Sequence, residues 1–78
     1  MIRVKLFATL AQNVKGIQLG VPFVVEIPDG STLSDLLKQL HLPEKDVKLT
    51  FINGRLRSNE YQLKNDDDVG IFPPIGGG

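Results

Sequence analysis

The sequence predicts a two-layer α+β domain in which one helix lies across one face of a four- or five-stranded sheet. Three observations carry that expectation. Stretches near both ends alternate apolar and polar residues with the period of a strand, one central stretch spaces its leucines as a helix does, and an Asn-Gly pair marks a tight hairpin before the last strand.

The first strand is predicted in "IRVKLFA", where Ile2, Val4 and Leu6 alternate with Arg3 and Lys5. "LAQNVKGIQLG" lacks a sustained period and reads as an irregular connection with one helical turn around 10–14. Alternation resumes in "VPFVVEIPDG", with Val21, Phe23, Val25 and Ile27 on one face, until Pro28, Asp29 and Gly30 break it. In "STLSDLLKQLHL" the leucines at 33, 36, 37 and 40 fall on a single helical stripe. Thr32 is placed as N-cap, Asp35 complements the positive end of the helix dipole, and Pro43 forbids continuation.

Asn53-Gly54 tolerates the positive φ angles of a type I′ turn, and the register that turn imposes pairs Ile52 with Arg55 and Phe51 with Leu56. Phe51 and Leu56 then share a face, expected to be the core face. "VGIFPP" is a last short strand with Val69 and Ile71 facing one way and Phe72 the other.

Composition excludes several functions. With 78 residues the chain is near the size at which folding buries only about 60% of the unfolded surface, leaving little room for both a deep cleft and a core. Nine basic residues balance nine acidic ones, so no global field draws the chain to nucleic acid or an anionic membrane. The absence of cysteine removes disulfides, thiol nucleophiles and thiolate metal sites. No apolar stretch approaches about 20 residues and no leader pattern opens the sequence, so a cytoplasmic protein is expected.

His41, the only histidine, lacks companions for a metal or nucleophile-base site and reads as a residue meeting the last carbonyls of the helix. Asp66, Asp67 and Asp68 lack calcium-loop spacing and read as a solvated turn. No metal ligands are expected. The glycines of the tail open no helix and so cannot form a phosphate loop.

The tail "FPPIGGG" carries the chemistry. Pro73 and Pro74 fix φ and hold Phe72 extended, so the tail is expected to leave the sheet in a defined direction. The four residues from Ile75 to Gly78 reach at most about 13 to 14 Å when extended. Lacking Cβ atoms, Gly76, Gly77 and Gly78 can thread a narrow channel and approach a nucleotide closely. The α-carboxylate of Gly78 is ionised at neutral pH and can attack the α-phosphate of ATP.

"IRVKLFATL", "IPDGSTLSDLLKQL", "FINGR" and above all "FPPIGGG" resemble the ubiquitin-like sulfur carriers, in particular the small subunit of molybdopterin synthase. The resemblance implies a β-grasp fold over 1–75, with a mixed sheet whose first and last strands run adjacent and parallel at its centre, and a flexible glycine tail at 76–78. It implies that an activating enzyme uses ATP and magnesium to adenylate Gly78, that sulfur from a persulfide replaces AMP to give a thiocarboxylate, and that the large synthase subunit receives the tail. Sulfur then passes to cyclic pyranopterin monophosphate to build the molybdopterin dithiolene. By the same resemblance Gly78 is the activated residue, Gly76 and Gly77 thread the channel, and Phe72, Pro73, Pro74 and Ile75 dock on partners. The resemblance further implies that the chain itself holds no cofactor and is a non-catalytic subunit.

Two positions depart from that pattern. Gly76 stands where the family often has Ala or Ser, and Asp66 where many members carry Gly. The same tail also suits a carrier for thiazole, tRNA thiolation or a tungsten pterin, and a protein modifier forming isopeptide bonds. A plain β-grasp interaction module is the remaining alternative.

Overall fold

The computed structural model describes residues 1–7, 10 and 20–74. Its elements include β1 (Ile2–Leu6), β2 (Phe23–Val25), α1 (Leu33–Gln39), a 3₁₀ turn (Glu44–Asp46), β3 (Leu49–Ile52), β4 (Arg55–Leu56) and β5 (Asp68–Phe72). The strands form one sheet in the order β2-β1-β5-β3-β4. β1 and β5 are parallel neighbours at its centre, while β2, β3 and β4 pair antiparallel. This is the expected β-grasp arrangement.

Strand parity decides the core. Ile2, Val4 and Leu6 of β1 and Val69 and Ile71 of β5 are buried on the face that carries Leu33, Leu36 and Leu37 of the helix, each with no exposed surface. Complete burial of a leucine side chain contributes about 1.5 to 3 kcal/mol, so this three-leucine stripe is a main source of stability. Leu40, the fourth member of the predicted stripe, packs on the core from its edge. Of the expected helical turn at 10–14 only Leu10 is described, and it is buried in the same cluster.

The start of α1 leaves no first-turn amide without a partner. Asp35 accepts from the Thr32 backbone N–H at 3.0 Å while Thr32 Oγ1 accepts from the Asp35 N–H at 3.3 Å, a reciprocal capping box. The N–H groups of Leu33 and Ser34 donate to the carbonyls of Tyr61 and Asn59, at 2.9 and 3.0 Å. The segment after β4 thus completes a helix that would otherwise fray. The Thr32 backbone hydrogen bond holds the Asp35 carboxyl below its ordinary range.

At the other end the Leu42 N–H donates to Leu37 O and the His41 N–H to Lys38 O, the paired bonds of a Schellman motif, with Leu37 and Leu42 both in the core. His41 meets the terminal carbonyls, as expected, but through its backbone. It occupies the left-handed position at φ 59°, which glycine would adopt without strain.

Three sequence expectations are corrected. The hairpin register is as predicted, and Asn53 and Gly54 both have positive φ, but Phe51 is only half-buried and Leu56 is 58% exposed while Ile52 is buried. The turn fixes register without fixing which face is inside. That choice comes from β5, which sets Ile52 beside Val69 and Thr50 beside Ile71 on the helix side. Asp67 is not solvated: it is buried, accepting from Asn53 Nδ2 at 2.9 Å and from the Lys64 N–H at 2.8 Å. Val21 precedes β2 and is exposed instead of joining Val25 in the core.

Substitutions at the two ends of α1 have distinct expected outcomes. His41→Gly raises the free energy of unfolding in urea by about 0.5 to 1 kcal/mol because the left-handed strain disappears, whereas His41→Ala gives no gain. Because the Asp35 pKa is lowered on folding, its contribution is complete above the ordinary carboxylate range and is lost as pH falls through the lowered value. Asp35→Asn therefore flattens the acid limb of a plot of melting temperature against pH.

Candidate partner-binding face and tail exit

The face of the sheet opposite the helix is built from the other parity. β1 presents Arg3 and Lys5, β5 presents Asp68, Gly70 and Phe72, and the parallel register sets Arg3 beside Asp68 and Lys5 beside Gly70. Phe7 comes directly after β1, and its N–H donates to the Ile71 carbonyl at 3.1 Å. The Phe7 ring lies parallel to that of Phe72, with centroids 4.2 Å apart and planes 1° from coplanar. Phe51 of β3 meets Phe72 edge-on at 5.8 Å and 83°. The edge-on geometry is favoured by the aromatic quadrupole and contributes about 0.5 to 1.5 kcal/mol beyond area burial.

Gly70 lies between these rings, and its lack of a side chain leaves a shallow open groove bordered by Lys5, Phe7, Phe51 and Phe72. Leu56 and Val24, exposed at 58% and 60%, extend the apolar surface toward the two edges of the sheet. Its charge is partly neutralised at one end. Arg3 reaches Asp68 through Nε at 2.6 Å and through its terminal nitrogen at 3.2 Å, and the same nitrogen donates to the Asp66 carbonyl at 3.2 Å. The Arg3 hydrogen bond holds the Asp68 carboxyl below its usual range. Among the described residues Lys5 forms no salt bridge, and its charge acts with that of Arg3 in lowering the Asp68 carboxyl.

The predicted site residues fall into two groups. Phe72 faces away from Val69 and Ile71, as its parity required, and packs between Phe7 and Phe51. Its carbonyl accepts from the Lys48 N–H at 2.8 Å, so the end of β5 is held on both flanks. Pro73 is buried and Pro74 exposed. Ile75, Gly76, Gly77 and Gly78 lie outside the described residues. Phe7 and Phe51 were missed as members of this face. Phe7 could have been found by continuing the parity of Arg3 and Lys5, but Phe51 could not, because its face depends on pairing with β5.

The turn before β5 also fits its sequence. Asp66 is in the left-handed conformation at φ 70°, a geometry aspartate tolerates better than most residues. Among the described residues no group of three or more His, Cys, Asp or Glu side chains could hold a metal ion. Among the same residues no helix is long and apolar enough to cross a membrane.

The ThiS family profile matches residues 4–78. Among solved structures, a Pyrococcus furiosus protein provisionally assigned as molybdopterin converting factor, subunit 1, is similar with 29% identity and a TM-score of 0.72, over 95% of this chain and 97% of that one. SAMP1 from Haloferax volcanii is similar at 20% identity and a TM-score of 0.70, over 99% and 98%. The Haloferax volcanii HVO 2177 protein is similar at 23% identity and a TM-score of 0.72, over 99% and 85%. The last two likenesses bear on the fold alone. No curated protein matches the chain. With nearly the whole chain matched and the β-grasp topology in place, the protein belongs to the ThiS family of ubiquitin-like sulfur carriers.

Proposed function

We propose that this chain is the sulfur-carrying small subunit of a molybdopterin synthase. The observation that carries the reading is that the central strand β5 ends at Phe72, within an aromatic cluster on the open face, and runs directly into Pro73 and Pro74 ahead of the glycines. The Phe-Pro-Pro ending and the likeness to the Pyrococcus furiosus protein support the molybdopterin branch.

In this reading an adenylating enzyme docks on the aromatic face and draws the glycines into its nucleotide site. The Gly78 carboxylate attacks the α-phosphate of ATP and pyrophosphate leaves with magnesium assistance from that enzyme; a partner's persulfide then displaces AMP to give an acyl disulfide, which a thiol cleaves reductively to the thiocarboxylate, a disulfide being left on the donor side. The thiocarboxylated tail, threaded by Gly76 and Gly77, then enters the large synthase subunit. Phe72 and Ile75 provide apolar contact at the base of the tail, while Pro73 and Pro74 fix its direction. The chain supplies no catalytic side chain and no cofactor. Its lack of cysteine keeps the carried sulfur at the C-terminal carbon, with no internal thiol to intercept it.

Incubation with the activating enzyme, ATP and a sulfur donor gives an intact-mass gain equal to sulfur replacing oxygen. Deleting Gly78 abolishes that gain and leaves the melting temperature unchanged. Neither adenylate nor thiocarboxylate in the wild-type chain rejects the proposal, and covalent ladders on other proteins assign protein modification instead. Failure of the thiocarboxylated chain to yield a dithiolene with the large subunit and the pterin precursor moves the acceptor elsewhere.

The docking face has its own test. Leu56→Ala, at an exposed position, shifts stability by no more than about 0.5 kcal/mol but weakens binding to the activating enzyme in titration calorimetry. Phe72→Ala weakens it by about thirtyfold, the effect of a hot spot of about 2 kcal/mol.

A further inference from the structure

Asn53 does more than turn the chain between β3 and β4. Its backbone N–H donates to the Asp68 carbonyl at 2.8 Å, and its side-chain oxygen accepts from the Asp68 N–H at 3.0 Å. Its side-chain nitrogen donates to the Asp67 carboxylate at 2.9 Å. Asp67 is only 5% exposed, and its other oxygen is occupied by the Lys64 N–H. The arrangement needs one donor and one acceptor on the same side chain, which an amide supplies and a carboxylate does not.

Asn53 is also followed by Gly54, which brings no side chain to hinder ring closure by its own backbone nitrogen. Both residues are exposed, and nothing lies within 4 Å of the point a Gly54 Cβ would occupy. We propose that Asn53 is a modification site, at which deamidation breaks the clasp between the hairpin turn and the start of β5. The Gly54 nitrogen bonds to Asn53 Cγ, and its proton leaves with the departing ammonia. Water then opens the resulting five-membered imide: addition at the former side-chain carbonyl gives aspartate with the normal peptide bond, addition at the main-chain carbonyl gives an isoaspartyl linkage, and in both the Gly54 nitrogen regains its proton. The net change is amide plus water to carboxylate plus ammonium, with no oxidant or reductant.

Aspartate at position 53 keeps an acceptor for the Asp68 N–H but turns an anionic oxygen toward the Asp67 carboxylate, where a 2.9 Å hydrogen bond had been. Carboxylates so placed repel, and the burial of Asp67 weakens the screening by water on its side of the pair. Isoaspartate also adds a backbone atom to a two-residue turn and shifts the pairing of Phe51 with Leu56. Gly54 and Asp68 both border the aromatic groove, so the change reaches the docking face. While the fold is closed, the two side-chain hydrogen bonds commit the amide and slow its conversion.

The test tracks the folded full chain at mildly alkaline pH by peptide mapping and isoaspartyl methyltransferase labelling. Conversion is expected at Asn53, about tenfold faster in Asp67→Ala, where one hydrogen bond to the amide is gone. It is expected to be faster again in denaturant. An intact Asn53 in the denatured chain, or equal rates in a folded Asp67→Ala and the wild type, overturns the proposal. The consequence is measured separately, and carries the test if Asp67→Ala does not fold. Asn53→Asp lowers the melting temperature by about 4 to 8 °C, and adding Asp67→Asn restores most of it because the new amide donates to the new carboxylate. An Asn53→Asp chain as stable as the wild type, or no recovery in the double variant, overturns the proposal equally.

Discussion

The structure depends on the parallel pairing of β1 with β5. These strands are far apart in sequence, so they meet only when the intervening helix, hairpin and turns have brought the chain back on itself. Their register, Val4 beside Val69 and Leu6 beside Ile71, sends one parity of both strands under the helix. The other parity becomes the open face. A slip of one residue in β5 would exchange the two sets, burying Asp68 and Phe72 against the leucine stripe.

A second constraint locks that register in place. The turn preceding β5 is tied to the strands on both sides of it: the Asp66 N–H donates to the Met1 carbonyl at 2.7 Å, the Arg3 N–H donates to the Asp67 carbonyl at 2.9 Å, and Asn53 at the end of β3 holds Asp67 and Asp68 from the other side. Hydrogen bonds of this kind are individually modest, but a buried carboxylate has few satisfactory arrangements, so the network selects one alignment. The Arg3–Asp68 ion pair, both partners being largely exposed, adds little to stability and mainly orders the rim of the groove.

Local rules carried the elements whose causes are local. Thr32, the leucine spacing and Pro43 were enough for the helix, and Asn53-Gly54 was enough for the hairpin register. The errors share one origin. Phe51 is the larger hydrophobe and reads as core, yet the partner strand that decides its face is β5, which the turn cannot see. Of three consecutive aspartates only Asp67 is buried, and nothing within "NDDD" distinguishes it, because the group that selects it is the Asn53 amide. In the candidate site, Phe72 was legible from the alternation of β5. The cluster around it was not, since Phe7, Phe51 and Phe72 come from three separate segments that only the sheet brings together.

The placement of β5 has a mechanical consequence. Flanked by β1 on one side and β3 on the other, with its last carbonyl still engaged by Lys48, the strand meets a pull along its own axis in shear against both ladders. Bonds loaded in that direction share the force and must yield together, unlike the edge of a sheet, which opens one rung at a time. The domain can therefore be gripped and drawn by its end without unravelling from it.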